Sequence, residues 1–288
     1  MHLFARQASL FGAMLLAVIS ATTLYAEEKP LTMVVMDPLA APLSCPCVEG
    51  YAQRKYEALE AFLEKQMGQS VHLLFTESLE TLKPEDLAGG TIDIVIGKDS
   101  VVRYDTKQKG LSATALARLT DKTGSTTQYG MIVVPKDDPA QKPADLKGYQ
   151  IYFGAIDAAE KHEAAIELLT KAGITLPETL EISQACSDGA CKILELEGPT
   201  KGAAVISSYA APLLEGCGTI KKGDLRVIGK TKTVPFVTAF ATDNLSPEQQ
   251  KKVHDSLMMV ATEPELCSQL ETLVGFVPVE EDEAAKKK

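Results

Sequence analysis

The residues best equipped for chemistry are two cysteines one position apart, Cys45 and Cys47, in the run Ser44-Cys45-Pro46-Cys47. Two thiolates favour Cu(I) or zinc. Two sulfurs are too few for a closed zinc site, so a metal there needs other ligands. As a redox pair, cysteines with a one-residue gap would form a strained and easily reduced disulfide. As structure, each thiol could bond a distant cysteine and pin the loop. All three readings stay open. His162 is the histidine placed to join Cys45 and Cys47 as a metal ligand, with Asp157 and Glu160 close by in sequence. Neutral imidazole is a common ligand, but a histidine in the first turn of a surface helix has the same placement. His72 and His254 fall in a strand and a helix.

A second cysteine pair, Cys186 and Cys191, brackets Ser187-Asp188-Gly189-Ala190. A disulfide across that gap is geometrically easy and is the expected state, although the same thiols could instead face Cys45 and Cys47. Ser100 and nearby amides could hold an anion at a helix start, and Arg103 could pair bidentately with a carboxylate or phosphate. Ser207, Ser208 and Tyr209 follow a strand and are further candidates. Tyr51, with Gln53 and Arg54, could add a stacking ring and donors. Packing or capping accounts for each of these equally well. No Gly-rich phosphate loop, zinc-protease helix or nucleophile elbow occurs, so no enzyme is expected.

These residues must be positioned by alternating strands and helices. Residues 31–36 (LTMVVM) form a short apolar run that reads as a buried strand. Ligands bind beyond the carboxyl ends of strands in open α/β sheets, which is where Ser44 to Cys47 would fall. Tyr56, Leu59, Phe62, Leu63 and Met67 recur at helical spacing before Gly68, a natural stop. Strands follow at 71–75 and 92–96, with a short helix at 84–87 and a longer one at 98–109. A polar connector at 121–127 reads as a hinge. A second α/β unit holds strands at 128–134, 150–153, 180–184, 203–206 and 225–228, and a helix at 160–172. Another connector lies at 231–233. Ser246-Pro247-Glu248-Gln249 carries a capping serine, an N1 proline and a glutamine at the third helical position. That helix and a short one from Glu263-Pro264 should fold back onto the first unit. Two chain crossings would then join two lobes, an arrangement suited to hinge closure around a ligand.

Composition bounds the rest. An apolar run from Leu10 to Ile19 follows Arg6 and precedes Ala26, which predicts a signal peptide over residues 1–26 and a periplasmic or secreted product. The run is too short to span a membrane, and no other window approaches the ~20 apolar residues a span needs. Six cysteines in the exported part fit an oxidising compartment. The formal charge of −10 argues against nucleic acid or anionic membrane as a partner. With 45% hydrophobic residues the chain can bury a full core without staples.

The chain resembles the type II periplasmic substrate-binding proteins, and within them the phosphate/phosphite/phosphonate branch of ABC transporter components. The similar segments are residues 56–71 (YEALEAFLEKQMGQSV), 89–97 (GGTIDIVIG), 129–148 (YGMIVVPKDDPAQKPADLKG) and 234–257 (VPFVTAFATDNLSPEQQKKVHDSL), in order along nearly all of the mature chain. The most specific is PADLKG at 143–148. The resemblance implies an α/β fold of two lobes, mixed mostly parallel sheets with flanking helices, and a hinge of two chain crossings. Lobe 1 is expected over 27–126 and 234–280, lobe 2 over 127–233, and a disordered tail over 281–288. It further implies capture of a phosphate- or phosphonate-like oxyanion between the lobes, no catalysis, and a membrane permease as partner. A monomer without a cofactor is expected. In the phosphonate binders a Ser/Thr-rich turn after the first strand of the second lobe holds the anion. The equivalent turn here, residues 154–162, has no hydroxyl and carries Asp157 and Glu160. The alternative is a copper- or zinc-binding, or thiol-redox, accessory protein on the same fold.

Overall fold

The computed structural model describes residues 29–44, 48 and 52–279. Cys45, Cys47 and Tyr51, the signal peptide and the expected tail lie outside the described residues.

The chain builds two sheets. The first contains β1 (Leu31–Met36), every residue of which is buried, as expected for an interior strand covered on both faces. It runs parallel to β2 (Val71–Phe75) on one side and β3 (Ile94–Lys98) on the other. Between β1 and β2 lies α1 (Tyr56–Met67), whose Tyr56, Leu59, Leu63 and Met67 face the core. Gly68 ends it at φ 66°, with its N–H donating to Glu64 O. After β3 comes α2 (Asp99–Gln108), then β4 (Ala113–Leu119).

The chain leaves this lobe through β5 (Thr127–Gln128) and enters the second sheet as β6 (Gly130–Pro135). That lobe continues with β7 (Gln150–Gly154), α3 (Glu163–Lys171), β8 (Glu181–Ser183), α4 (Cys186–Glu195), β9 (Gly202–Ser207), α5 (Ala210–Gly216) and β10 (Leu225–Lys230). The return crossing is β11 (Val234–Pro235), which leads into β12 (Val237–Thr242). Two helices, α6 (Pro247–Met259) and α7 (Pro264–Gln269), and the edge strand β13 (Phe276–Pro278) complete the first lobe.

The strand orders are β13-β4-β12-β3-β1-β2 and β10-β6-β9-β7-β8. In each sheet the strand arriving from the other lobe, β12 or β6, is inserted antiparallel, one or two positions from the edge. The two crossings pair with each other, Val234 opposite Gln128 and Pro235 opposite Thr127. The hinge expected at the two connectors is therefore a small antiparallel ribbon.

The two C-terminal helices pack on lobe 1 as expected, burying Val253, Leu257, Val260, Leu266 and Leu270 in the core that holds Tyr56 and Leu63. The cap of α6 is the anticipated one: Ser246 Oγ accepts from Gln249 N at 3.2 Å, and Gln249 Oε1 accepts from Ser246 N at 3.0 Å.

Three expectations are corrected. The strand expected at 92–96 begins two residues later, because Asp93 turns its carboxylate onto Thr32 N at 2.8 Å. The helix expected from residue 160 begins at Glu163, because Glu160 is drawn away into the gap between lobes. The Cys186–Cys191 disulfide is absent, and both are free thiols. Both stand on α4. Five helical residues separate Cα atoms by about 7.5 Å along the axis and point the side chains apart, beyond disulfide reach.

Candidate ligand-binding cleft

Carboxyl ends of strands from both lobes face one another across a cavity of about 630 Å³. Lobe 1 contributes Met36 at the end of β1, Pro38, Leu39 and Leu43 from the loop after it, Lys98 at the end of β3 and Val101 in the first turn of α2. Lobe 2 contributes Asp157, Ala158 and Lys161 from the turn after β7, and residues from the first turns of α4 and α5.

The loop after β1 is held by a buried ionic cluster. Asp37, at the end of β1, is fully buried and accepts from Leu39 N on Oδ1 at 2.9 Å. Its Oδ2 accepts from Arg54 Nη1 at 2.8 Å and Tyr56 Oη at 2.6 Å. Arg54 Nε also donates to Leu270 O at 3.1 Å, tying the loop to α7. A buried charge is tolerable only when paired and fully hydrogen-bonded, and this one is. Burial first, and the Asp37 charge second, push the Tyr56 phenol well above its ordinary range, so it stays a donor. The Arg54 guanidinium lies 5.5 Å over the Phe236 ring, and Phe236 stacks on Tyr209 of lobe 2 at 4.8 Å. The cluster thereby reaches across the lobes.

A second ionic contact closes the gap directly. Lys98 Nζ, at the end of β3, donates to Glu160 Oε1 of lobe 2 at 2.7 Å. Ser207 Oγ, at the end of β9, donates to the same oxygen at 2.5 Å. Burial alone would raise the Glu160 carboxyl, but the charge and hydrogen bond of Lys98 and the Ser207 hydroxyl outweigh it and hold it below its ordinary value. Glu160 Oε2 is buried with no hydrogen-bond partner among the described residues. Nearby, Ala159 N donates to Ser100 Oγ across the lobes at 3.3 Å.

The candidate residues divide accordingly. Ser44, Asp157 and Tyr209 line the cavity. Ser44 also accepts from Gln53 Nε2 at 3.0 Å. Cys45 and Cys47 fall outside the described residues, but Ser44 and Val48, which bracket them, both line the cavity. Ser100, Glu160 and Ser207 form the interlobe contacts just described. Ser208 is bonded to the Tyr129 main chain at the lobe 2 end of the hinge. Arg103 is turned away: it pairs with Asp99 on its own helix at 2.7 Å and lies 5.0 Å over Phe240. His162 Nδ1 contacts Gly154 O at 2.9 Å, outside the cavity lining. Among the described residues, no group of three or more His, Cys, Asp or Glu converges as metal ligands.

Sequence reasoning passed over Lys161 and α5. Lys161 carried a signal, since it sits in a turn at the carboxyl end of a lobe 2 strand. Cys186, expected in a disulfide, instead opens α4 on the cavity wall, and its Sγ accepts from Ser207 N at 3.3 Å.

Two lobes, sheets of this order and a paired double crossing define a type II periplasmic binding protein. Residues 50–284 match the family described as ABC transporter, phosphonate, periplasmic substrate-binding protein, and the chain belongs to that family. It is a family of solute-binding proteins, not of enzymes. Solved structures of similar fold include XAC2383 from Xanthomonas citri bound to ATP, at 14% identity and TM-score 0.65, covering 89% of this chain and 94% of that one. PhnD1 from Prochlorococcus marinus in complex with methylphosphonate aligns at 12% identity and TM-score 0.63, covering 90% and 96%. The alkanesulfonate-binding protein SsuA from Xanthomonas axonopodis pv. citri bound to MOPS aligns at 15% identity and TM-score 0.51, covering 88% of each. No curated protein matches the sequence. No helix among the described residues is long and apolar enough to cross a membrane.

Proposed function

We propose that this chain is a monomeric periplasmic carrier that captures a small oxyanion-bearing solute between its lobes and presents it to a membrane permease, without catalysis. The observation that carries the reading is the 630 Å³ cavity walled by strand ends of both lobes, with two lysines, Lys98 and Lys161, in its wall. Pockets that bury small ligands fall in this size range. The ligands of structurally similar proteins, methylphosphonate in PhnD1 and MOPS in SsuA, are organic oxyanions. Closure would exchange a solute's hydration for fixed protein donors.

The test is calorimetry and thermal melting of the mature chain with inorganic phosphate, alkylphosphonates and alkylsulfonates, alongside small-angle X-ray scattering. A saturable rise in melting temperature with at least one oxyanion, accompanied by a change in radius of gyration, is expected. No binding by any of them, with tight capture of another macromolecule, would overturn the reading.

A further inference from the structure

We propose that the cleft selects a single-headed organic anion with an apolar body, its head seated between the Lys161 ammonium and the first turn of α4. This deepens the solute-capture reading above and rests on it.

Lys161 is only 5% exposed and lines the cavity. Its carbons lie against Gly154, where an added Cβ would come within 2.4 Å of Lys161 Cβ and 2.7 Å of Cε. The glycine therefore makes the room in which this lysine lies. The ammonium has no ion pair or hydrogen bond among the described residues. Only water in the cavity can then solvate it, and an anion in the cavity would supply the partner that the protein does not. Lys98, the other lysine of the wall, is already committed to Glu160. Glu160 feels Lys161 at longer range, but its bonded oxygen is shared by Lys98 and Ser207.

The start of α4 faces the same cavity through Ala185, Cys186 and Ser187. Ala185 at the N-cap has no side-chain oxygen to accept from the first-turn amides. Asp188 turns back to the Ala185 N–H at 3.2 Å. The first turn of this ten-residue helix thus presents main-chain amides to the cavity that Lys161 also lines, with the Asp188 carboxylate engaged by the Ala185 N–H.

The remainder of the wall selects the body. At about 30 Å³ per water, the cavity has room for about twenty waters, and a bare oxyanion would displace only a few. Leu39, Leu43, Val101 and Leu213, partly exposed on the wall, would stay wetted against a small ion and dry against an alkyl group. Two carboxylates also border the cavity, exposed Glu77 and partly exposed Asp157. They would repel a second anionic group at the far end of a ligand, which is why one head is specified.

The experiment is calorimetry of the mature chain with hexylphosphonate, methylphosphonate and inorganic phosphate, in wild type, Lys161→Met and Ser187→Asp. Hexylphosphonate should bind best, gaining about fourfold per buried methylene over methylphosphonate. Lys161→Met should lose tenfold or more. Ser187→Asp places a like charge at the seat while favouring the helix start, so it should weaken binding without lowering the ligand-free melting temperature. If methylphosphonate or phosphate binds as tightly as hexylphosphonate, or if Lys161→Met and Ser187→Asp both bind it like wild type, the seat and the substrate class fall while solute capture stands. If no oxyanion binds wild type, solute capture itself fails.

Discussion

At the scale of single residues, Glu160 has the strongest consequences. It was expected to contact a ligand, and in the structure it joins the lobes through Lys98 and Ser207. Its carboxyl is held below the ordinary value of 4.5. A carboxyl depressed in the folded state stabilises it fully above the unfolded value and loses that contribution as pH falls through the folded value. The urea midpoint of the wild type should therefore fall below pH 4.5 more steeply than that of Glu160→Gln. At pH 7, Glu160→Ala should cost about 3–5 kcal/mol in urea unfolding, because it strands a buried ammonium. The identity of Glu160 as a polar residue near the cleft was legible, since a turn at the carboxyl end of a strand is where such groups gather. Its partner was not, because Lys98 lies 62 positions away and only the closed chain path brings the two together. The disulfide expected between Cys186 and Cys191 failed for a local reason. The capping and packing of α4 extended the helix through both cysteines, and a helix separates residues five apart.

At the scale of elements, the apolar runs and capping signals were readable and the antiparallel insertions were not. β4 has the sequence ATALARL, rich in helix formers, and becomes a strand because β12 and β13 flank it with ladder partners. β12 could be assigned only by a chain returning from the other lobe. Ser246→Ala should cost about 1 kcal/mol by exposing the first amides of α6, a loss measurable as a lower urea midpoint with unchanged slope. Gly130→Ala is a sharper test of the packing inside lobe 2 that holds the Glu160 turn in place. The added Cβ would lie 2.2 Å from Glu160 O, a backbone atom that cannot swing aside. β6 and the turn after β7 must then separate, at about 1–3 kcal/mol. At about 2–4 °C per kcal/mol for a chain of this size, the melting temperature should drop by several degrees.

At the scale of the whole molecule, the lobes meet through a few discrete contacts around a cavity. The Phe236–Tyr209 stack is the aromatic one, adjoining the hinge strand β11 and the cavity wall together. Phe236→Ala should cost about 3–5 kcal/mol in stability and leave the lobes free to separate. Small-angle scattering should show a larger radius of gyration than wild type, and a ligand should restore less of the compact form. An unchanged radius would mean that the contacts of Lys98 with Glu160 and of Ser100 with Ala159 hold the lobes without the stack.

The pairing of β5 with β11 restricts how such separation can happen. Two independent threads would let one half of the protein bend, shear or slide in any direction against the other. Threads laced to each other by ladder bonds behave as one strap, stiff to sliding and soft chiefly to bending and twisting. Opening should then follow a single swing about a near-fixed axis, so that a membrane partner touching both outer faces could gauge their separation from one angle alone.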